Sequence, residues 1–556
     1  RRTAVRPFLG LVLVLGLCAP FTGAVGVSTE VLLKAQERDD VWVNYSRDYR
    51  SWRYAPLDQI NRETVKRLVP KWVHQSGVLG GAYETTAICD GERLYITTPN
   101  NHLFCLDVRT GKPLWHFEHI LPPDIKLCCG PVNRGVAIYE DKVVWGTLDA
   151  RLMCFDAKTG LQLWDRQVAD YRDSYSITSA PMIVNGLAII GPGGAEYGVR
   201  GFLDAYDVHT GERVWRFWGT AGPGDENQKT WKDDSWVHGG GTAWLSGSYD
   251  PELNLLYWGI GNPSPDWNSA IREGDNLYTE CIVALRPETG ELVWFFQNTP
   301  HDIFDWSGVQ TPILIDETIN GKTVKALVQA NRNGYLYALD RTDGSFLYAK
   351  PFTETNWAVT GEDGIPRIDP KTFTLENNHI CPGVFGGANW PPSAYSPDTH
   401  MIYIPEMKRC TLYTQLDVVY RRGLPYYGGT IMFDDQNPLS PIPAEGHIKA
   451  FDVRTGEEKW AFDVGGPNWA GLLTTAGGLV FGGAPDGYLR AFNDETGEVV
   501  WQFQTGSGLY APPISFMLDG KQVVGIASGW GQPAKILGLN NESQGSSYYL
   551  FELMGE

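Results

Sequence analysis

Short runs in which apolar and polar residues alternate, such as ERLYITT (92–98) and MIYIPEM (401–407), recur along most of the chain. A period of two marks strands with one buried face. The runs lead repeatedly into one motif: an apolar stretch, Asp or a substitute, Thr-Gly, then Trp. It occurs seven times, as CLDVRTGKPLW (105–115), CFDAKTGLQLW (154–164), AYDVHTGERVW (205–215), ALRPETGELVW (284–294), ALDRTDGSFLY (338–348), AFDVRTGEEKW (450–460) and AFNDETGEVVW (491–501). The fifth copy has Asp-Gly for Thr-Gly and Tyr348 for Trp. Each unit reads as several antiparallel strands, with a Gly turn between the last two and an aromatic that packs at the joint with its neighbour. Copies lie 41 to 112 residues apart, so some units carry long loops, and loops on one face are where a site belongs.

After Trp501, the segments APPISFMLDG, KQVVGIASG and SSYYLFEL continue the strand pattern, and the stretch from SWRYAPL to LVPKW offers another near the start. Together the two ends complete an eighth unit, which closes a ring and leaves no open sheet edge. The expected fold is all-β: an eight-bladed β-propeller with Trp-docking motifs, closed by N- and C-terminal strands. Separate β-sandwiches account less well for the repeated Trp.

Composition agrees. The 63 Gly, 35 Pro, 21 Trp, 26 Tyr and 22 Phe suit short strands and tight turns and suit a helical bundle poorly. A net charge of -19 argues against a nucleic-acid partner and leaves a cationic protein partner open. Arg1, Arg2 and Arg6 precede an apolar run over residues 7–18, and small residues follow at Gly23, Ala24 and Gly26. This is the layout of a secretory signal, so residues 1–27 are expected to be a signal peptide and 28–556 a single propeller domain. No later stretch reaches about 20 uninterrupted apolar residues, so no membrane-spanning segment is expected. Beyond Cys18, eight cysteines remain, an even number that permits disulfides without stating their pairing. No CxxCH or paired CxxC occurs, which argues against an attached haem or a zinc site.

Cys128 and Cys129 are adjacent, in LCCGPVNRG. Across a trans peptide their Cα atoms lie about 3.8 Å apart, below the usual disulfide range, so bridging them demands a strained ring. From the pair alone, a bridge and two buried thiols fit equally well.

CCGPVNRG resembles the vicinal-disulfide motif of the pyrroloquinoline quinone (PQQ) dependent alcohol dehydrogenases of the methanol and ethanol dehydrogenase type. The Trp-docked repeats are similar to that family's propeller, from WRYAPLDQIN near the N-terminus to ASGWGQP near the end. The resemblance implies a Cys128–Cys129 disulfide on one face of the flat quinone and Trp244 on the other, an arrangement that suits a planar ligand. It places Glu84, Arg134, Thr178, Gly194, Ala195, Thr242, Asn389 and Trp390 among the cofactor contacts, as a tricarboxylate requires cationic and hydrogen-bonding groups around it. Gly193 stands where the methanol enzymes carry Ser.

By the same resemblance Glu196, Asn262 and Asp305 form a metal trio of oxygen donors, which suits a hard cation such as calcium. Lanthanide-dependent relatives carry an extra Asp two residues after the catalytic one; here that position is Ser307, which favours calcium. Asp305 is the expected general base, with Asp302 its competitor, and Arg332 the cation that stabilises charge developing at the reactive carbonyl. The resemblance also implies a second disulfide between Cys381 and Cys410, while Cys89, Cys105, Cys154 and Cys281 read as buried thiols. Trp469 and Trp530 are further candidates for the pocket wall.

The expected activity is periplasmic oxidation of a primary alcohol to an aldehyde, with PQQ and calcium as cofactors and a separate soluble cytochrome c as electron acceptor. The competing readings are a non-catalytic propeller scaffold, which the fold alone does not exclude, and the same chemistry on a larger or polyol alcohol. A homodimer stays open.

Overall fold

The computed structural model describes residues 26–372, 378–438, 441–530 and 544–555. The expected signal segment lies outside the described residues up to residue 25, as does the end of the ASGWGQP stretch beyond Trp530. Among the described residues eight sheets of four or five strands follow one another along the chain. They span residues 88–118, 137–167, 182–218, 248–297, 313–351, 394–463, 472–504 and 514–553. Within these spans each is an antiparallel meander in which neighbouring strands alternate direction.

The Thr-Gly motif is the turn between the third and fourth strands. In the first copy the Asp107 carboxylate accepts from the Thr110 amide (2.8 Å), while its carbonyl accepts from the Gly111 amide (2.8 Å). Gly111 takes φ +69°, and a Cβ there would meet the Trp72 ring at 2.5 Å. Glycine is required for two reasons: a left-handed backbone and an indole lying flat on it. The same contact joins Trp115 to Gly160, Trp164 to Gly211, Trp215 to Gly290, Trp294 to Gly344 and Trp460 to Gly497.

At each of these joints the indole N–H also donates to a backbone carbonyl of the next sheet, as from Trp164 to Val208 (2.8 Å). Tyr348, the divergent copy, does the same through its hydroxyl, which donates to Val453 at 2.6 Å. Trp501 meets Phe551 edge to face at 5.7 Å, and Trp72 bonds Val108, so the eighth sheet joins the seventh to the first.

The eighth sheet is built as expected from both ends of the chain: Leu68–Gln75 pairs with Ser547–Leu553. The upstream SWRYAPL segment departs from expectation. Its strand Tyr54–Ala55 runs parallel to Leu472–Thr475 at the edge of the seventh sheet, drawn there by the Arg53 guanidinium, which is fully buried and donates to the carbonyls of Tyr45, Leu472 and Pro513. Cys89, Cys105, Cys154 and Cys281 are buried free thiols. Among the described residues no helix is long and apolar enough to cross a membrane.

In a four-stranded meander, the connection between the second and third strands and the one leading to the next sheet emerge at the same end. The long insertions use these connections. One is a three-stranded sheet of His379–Ile380, Thr411–Gln415 and Gly429–Phe433, and the other a hairpin of Ala358–Thr360 and Pro366–Ile368. Every site residue expected from the sequence lies in a connection of these two kinds.

Candidate functional site

Arg134 is the hub of one half of the site. Its guanidinium pairs with the Glu84 carboxylate at 2.8 Å and donates to the Thr178 hydroxyl at 2.7 Å. It lies 4.8 Å from the Trp390 ring centre and 5.4 Å from that of Trp244. Burial pushes the Glu84 carboxyl up to about 7 against the pull of Arg134. Ala82, Val132, Leu245, Trp390, Trp469 and Trp530 form an apolar cluster against which Trp244 packs.

Cys128 and Cys129 are disulfide-bonded and exposed, and their sulfurs lie within 4.8 Å of a Glu196 carboxylate oxygen. Glu196 is delivered by a short turn, Ala195–Tyr197, capped by Gly194 at φ +122°, where a Cβ would come within 2.6 Å of the Ser174 carbonyl. Gly193 has room for a small side chain, its nearest neighbour being the Trp244 Cβ at 3.6 Å. The Ala195 carbonyl accepts from the Ser264 hydroxyl at 2.8 Å.

A hydrogen-bonded row links the two halves. The Trp244 indole donates to the Ser307 hydroxyl (3.4 Å), Ser307 donates to Asn262 Oδ1 (3.0 Å), and Asn262 Nδ2 donates to Asp266 Oδ1 (3.2 Å). Thr242, fully buried, accepts the Gly261 amide on its carbonyl and so sets Trp244 against this row. Asn389 is less engaged: its amide bonds the Phe385 carbonyl and the Trp390 amide within its own loop.

The two competing acids differ in their hydrogen bonds. The Asp302 carboxylate accepts the backbone amides of Phe304 (3.1 Å) and Trp306 (3.0 Å), closing a turn that holds Asp305 in a left-handed conformation, φ +62°. Asp302 is committed to the backbone and Asp305 is the carboxylate that the turn presents. Arg332 is buried and donates to the Val384 carbonyl, while its Nε has no hydrogen-bond partner among the described residues.

Electrostatics tie the second half together. Burial raises the Glu196 carboxyl, and Arg332 opposes the shift. Asp305 is raised by burial, lowered by Arg332 and raised again by Glu196 and Asp302. Sequence reading missed three charged neighbours. Asp266 is raised by burial and by Asp305 and Glu196, Glu280 is raised by burial and Asp302, and Arg272 is fully buried beside them. All three lie in residues 260–280, the connection between the second and third strands of the fourth sheet, and that position was the available signal. Five carboxyl groups thus surround two guanidinium groups in the interior. The surplus of carboxyl over guanidinium groups, with two carboxylates and an amide oxygen as donors, fits a hard cation, whose charge would favour their ionised forms.

A ring of Trp-docked sheets, whose single loop face gathers a vicinal disulfide, a flat indole and an acidic oxygen-donor set, defines the quinone-cofactor dehydrogenase class. The family profile described as "PQQ: Glucose/ethanol/alcohol dehydrogenase, beta-propeller domain" matches residues 42–356 and 463–524. The chain is 37% identical to the quinoprotein alcohol dehydrogenase PedH of Pseudomonas putida, over 99% of this chain and 98% of the relative. It is 38% identical to the quinohemoprotein alcohol dehydrogenase ADH IIB of Pseudomonas putida, over 96% of this chain and 80% of the relative. Among solved structures, a europium-containing methanol dehydrogenase superposes with a TM-score of 0.88 at 33% identity, over 94% of this chain and 100% of the other. The chain belongs to the PQQ-dependent quinoprotein alcohol dehydrogenase family of oxidoreductases.

Proposed function

We propose that this chain oxidises a primary alcohol to an aldehyde in the periplasm, with Asp305 as the base. The observation that carries the reading is the Asp302-closed turn, which presents the Asp305 carboxylate within electrostatic reach of Glu196 and Arg332. PQQ and a metal ion, when bound, would supply the hydride acceptor and the Lewis-acid polarisation for alcohol oxidation. Asp305 takes the alcohol's hydroxyl proton on a carboxylate oxygen. Arg332 holds a fixed positive charge where negative charge develops on oxygen, buried so that water does not screen it.

Trp244 and the exposed Cys128–Cys129 bridge would supply flat walls for the cofactor. Arg134 with Thr178, joined by Glu84, Gly194, Ala195, Thr242, Asn389 and Trp390, would meet its edge. Glu196, Asn262 and Asp305 would hold the metal. Ser307, a neutral hydroxyl bonded to Asn262, adds no third carboxylate beside them, which favours calcium over a trivalent ion. The electron acceptor is read as a soluble cytochrome c. Residues 1–27 are read as an export signal and 28–556 as one propeller domain. Val27, the last residue of that signal segment, is buried and its carbonyl accepts from the Glu140 amide at 2.8 Å, which fits cleavage before Val27 better than after it.

Reconstitution of the purified protein with PQQ and either calcium or lanthanum, followed by a dye-linked ethanol assay and the visible spectrum, tests this. Quinone absorbance with calcium-supported turnover is the expected result. Turnover with lanthanum alone overturns the metal assignment, and quinone uptake without alcohol turnover under either metal overturns the substrate.

A further inference from the structure

A side-chain amide offers a cation its oxygen, yet its oxygen and nitrogen are nearly equal in size, so packing alone does not choose which end of Asn262 faces the site. The choice matters, because the nitrogen carries two N–H donors and no acceptor. The main chain here is held. The Gly241 amide donates to the Asn262 carbonyl at 2.9 Å, and a Cβ on Gly240 would come within 2.4 Å of the same oxygen.

The row that runs through the side chain has a direction. An indole N–H can only donate, so Ser307 accepts from Trp244 and its own proton is left for Asn262 Oδ1, at 3.0 Å. One lone pair of that oxygen remains for a cation. Asn262 Nδ2 then needs acceptors, and it reaches Asp266 Oδ1 at 3.2 Å and, at the limit of a hydrogen bond, the Pro263 carbonyl at 3.5 Å. A carboxyl presents an acceptor oxygen in either protonation state, so this end of the row does not depend on the charge of Asp266.

Asp266 is a costly group to bury for one bond. It is 0% exposed, and its Oδ2 has no hydrogen-bond partner among the described residues. Its backbone is fixed by Arg272, also fully buried, which donates to the carbonyls of Pro265 (2.9 Å), Asp266 (3.2 Å) and Asp302 (2.7 Å) and to Asn276 Oδ1 (2.8 Å). One guanidinium thus ties the residue that ends the row to the turn that presents Asp305.

We propose that Asp266 is a positioning residue for the metal: by accepting from Asn262 Nδ2 it locks the amide with its oxygen on the side of the Asp305–Ser307 segment. The inference rests on Asn262 being a metal ligand. Asp266 acts through Asn262 and not by its own contact with the cation. Outer partners that orient a ligand in this way are worth about 10- to 100-fold in metal affinity.

The test is equilibrium dialysis of the PQQ-loaded enzyme against calcium buffers, with bound metal counted by atomic emission. Asp266→Leu, which keeps the shape and removes the acceptor, is expected to weaken calcium binding about 10- to 100-fold. Asp266→Asn is expected to stay within about threefold of wild type, because its amide oxygen accepts from Nδ2 in place of the carboxyl. A role through charge would not be rescued by Asn, and a role through packing would spare Leu. In an Asn262→Asp background, where both ends of the side chain are oxygens, Asp266→Leu is expected to lose its effect.

Wild-type calcium affinity in Asp266→Leu, beside an Asn262→Ala variant that loses calcium, overturns the inference alone. Wild-type affinity in Asn262→Ala overturns the ligand reading and the inference with it. A loss in Asp266→Asn as large as in Asp266→Leu, or an undiminished effect in the Asn262→Asp background, overturns the amide lock. Should Asp266→Leu not fold, Asp266→Ala carries the same expectation, and failure of both beside a folded Asp266→Asn assigns the carboxyl to folding and overturns the proposal.

Discussion

The joints between the sheets and the centre they enclose are built on opposite terms. At a joint such as Trp164 on Gly211, the indole N–H has a carbonyl at 2.8 Å, the turn Asp bonds the amides beneath it, and the one left-handed residue is a glycine. In the centre, left-handed conformations fall on Asp305 and Glu280, and polar atoms of Asp266, Glu280, Arg332 and Trp390 lack hydrogen-bond partners among the described residues. Agreement of backbone, packing and polar satisfaction gives stability, and their local disagreement marks where binding and chemistry are done.

The contrast breaks most sharply at Asp305. Asp305→Asn is expected to cut turnover by about 10²- to 10⁴-fold with no loss of unfolding temperature, since it removes a buried acid and no packing. Steady-state kinetics beside a thermal melt read both halves. The opposite signature belongs to Trp164→Ala, which empties a joint. It should cost about 3–5 kcal/mol of stability in denaturant titration while kcat per folded molecule stays at the wild-type value.

A pH effect sharpens the comparison further. The Glu84 carboxyl ionises near 7 in the folded chain, raised by burial from its ordinary 4.5. Below about 4.5 both folded and unfolded chains hold the proton and nothing is lost. As pH rises toward 7 the unfolded chain gives it up first, so stability falls, by about 3 kcal/mol once pH exceeds 7. Cofactor-free protein should therefore be more stable at pH 5 than at pH 7.5, and Glu84→Gln should flatten the difference. A joint substitution should shift the whole curve without changing its slope. The smallest effect is expected at Ser307. Ser307→Ala removes one hydrogen bond to Asn262, worth about 1 kcal/mol, and should weaken metal affinity about fivefold in a calcium titration.

Much of this was legible from the chain alone. The six Thr-Gly turns and the one Asp-Gly turn, the aromatic joints with Tyr348 standing in for Trp, the four thiols and the ring closed by Leu68–Gln75 on Ser547–Leu553 all appear in the structure as the sequence implies. The Cys128–Cys129 and Cys381–Cys410 bridges, implied by family resemblance, are present. The edge strand Tyr54–Ala55 was not legible, because Arg53 carries it to carbonyls more than 400 residues away. Family resemblance preferred Asp305 to Asp302 as base, but which backbone amides each carboxylate meets was not legible in the chain.

The repeat dictates the propeller because each unit's turn and docking aromatic are short-range features that any reader of the chain can count. The site is another matter. Glu196, Asn262, Asp266, Glu280, Asp305 and Arg332 come from three different sheets, and nothing in their spacing says that they share one interior. They meet because alternating strands return every such connection to the same end of the ring. Their charges then couple across low-polarity space, where proximity sets the chemistry and proximity is a property of the fold.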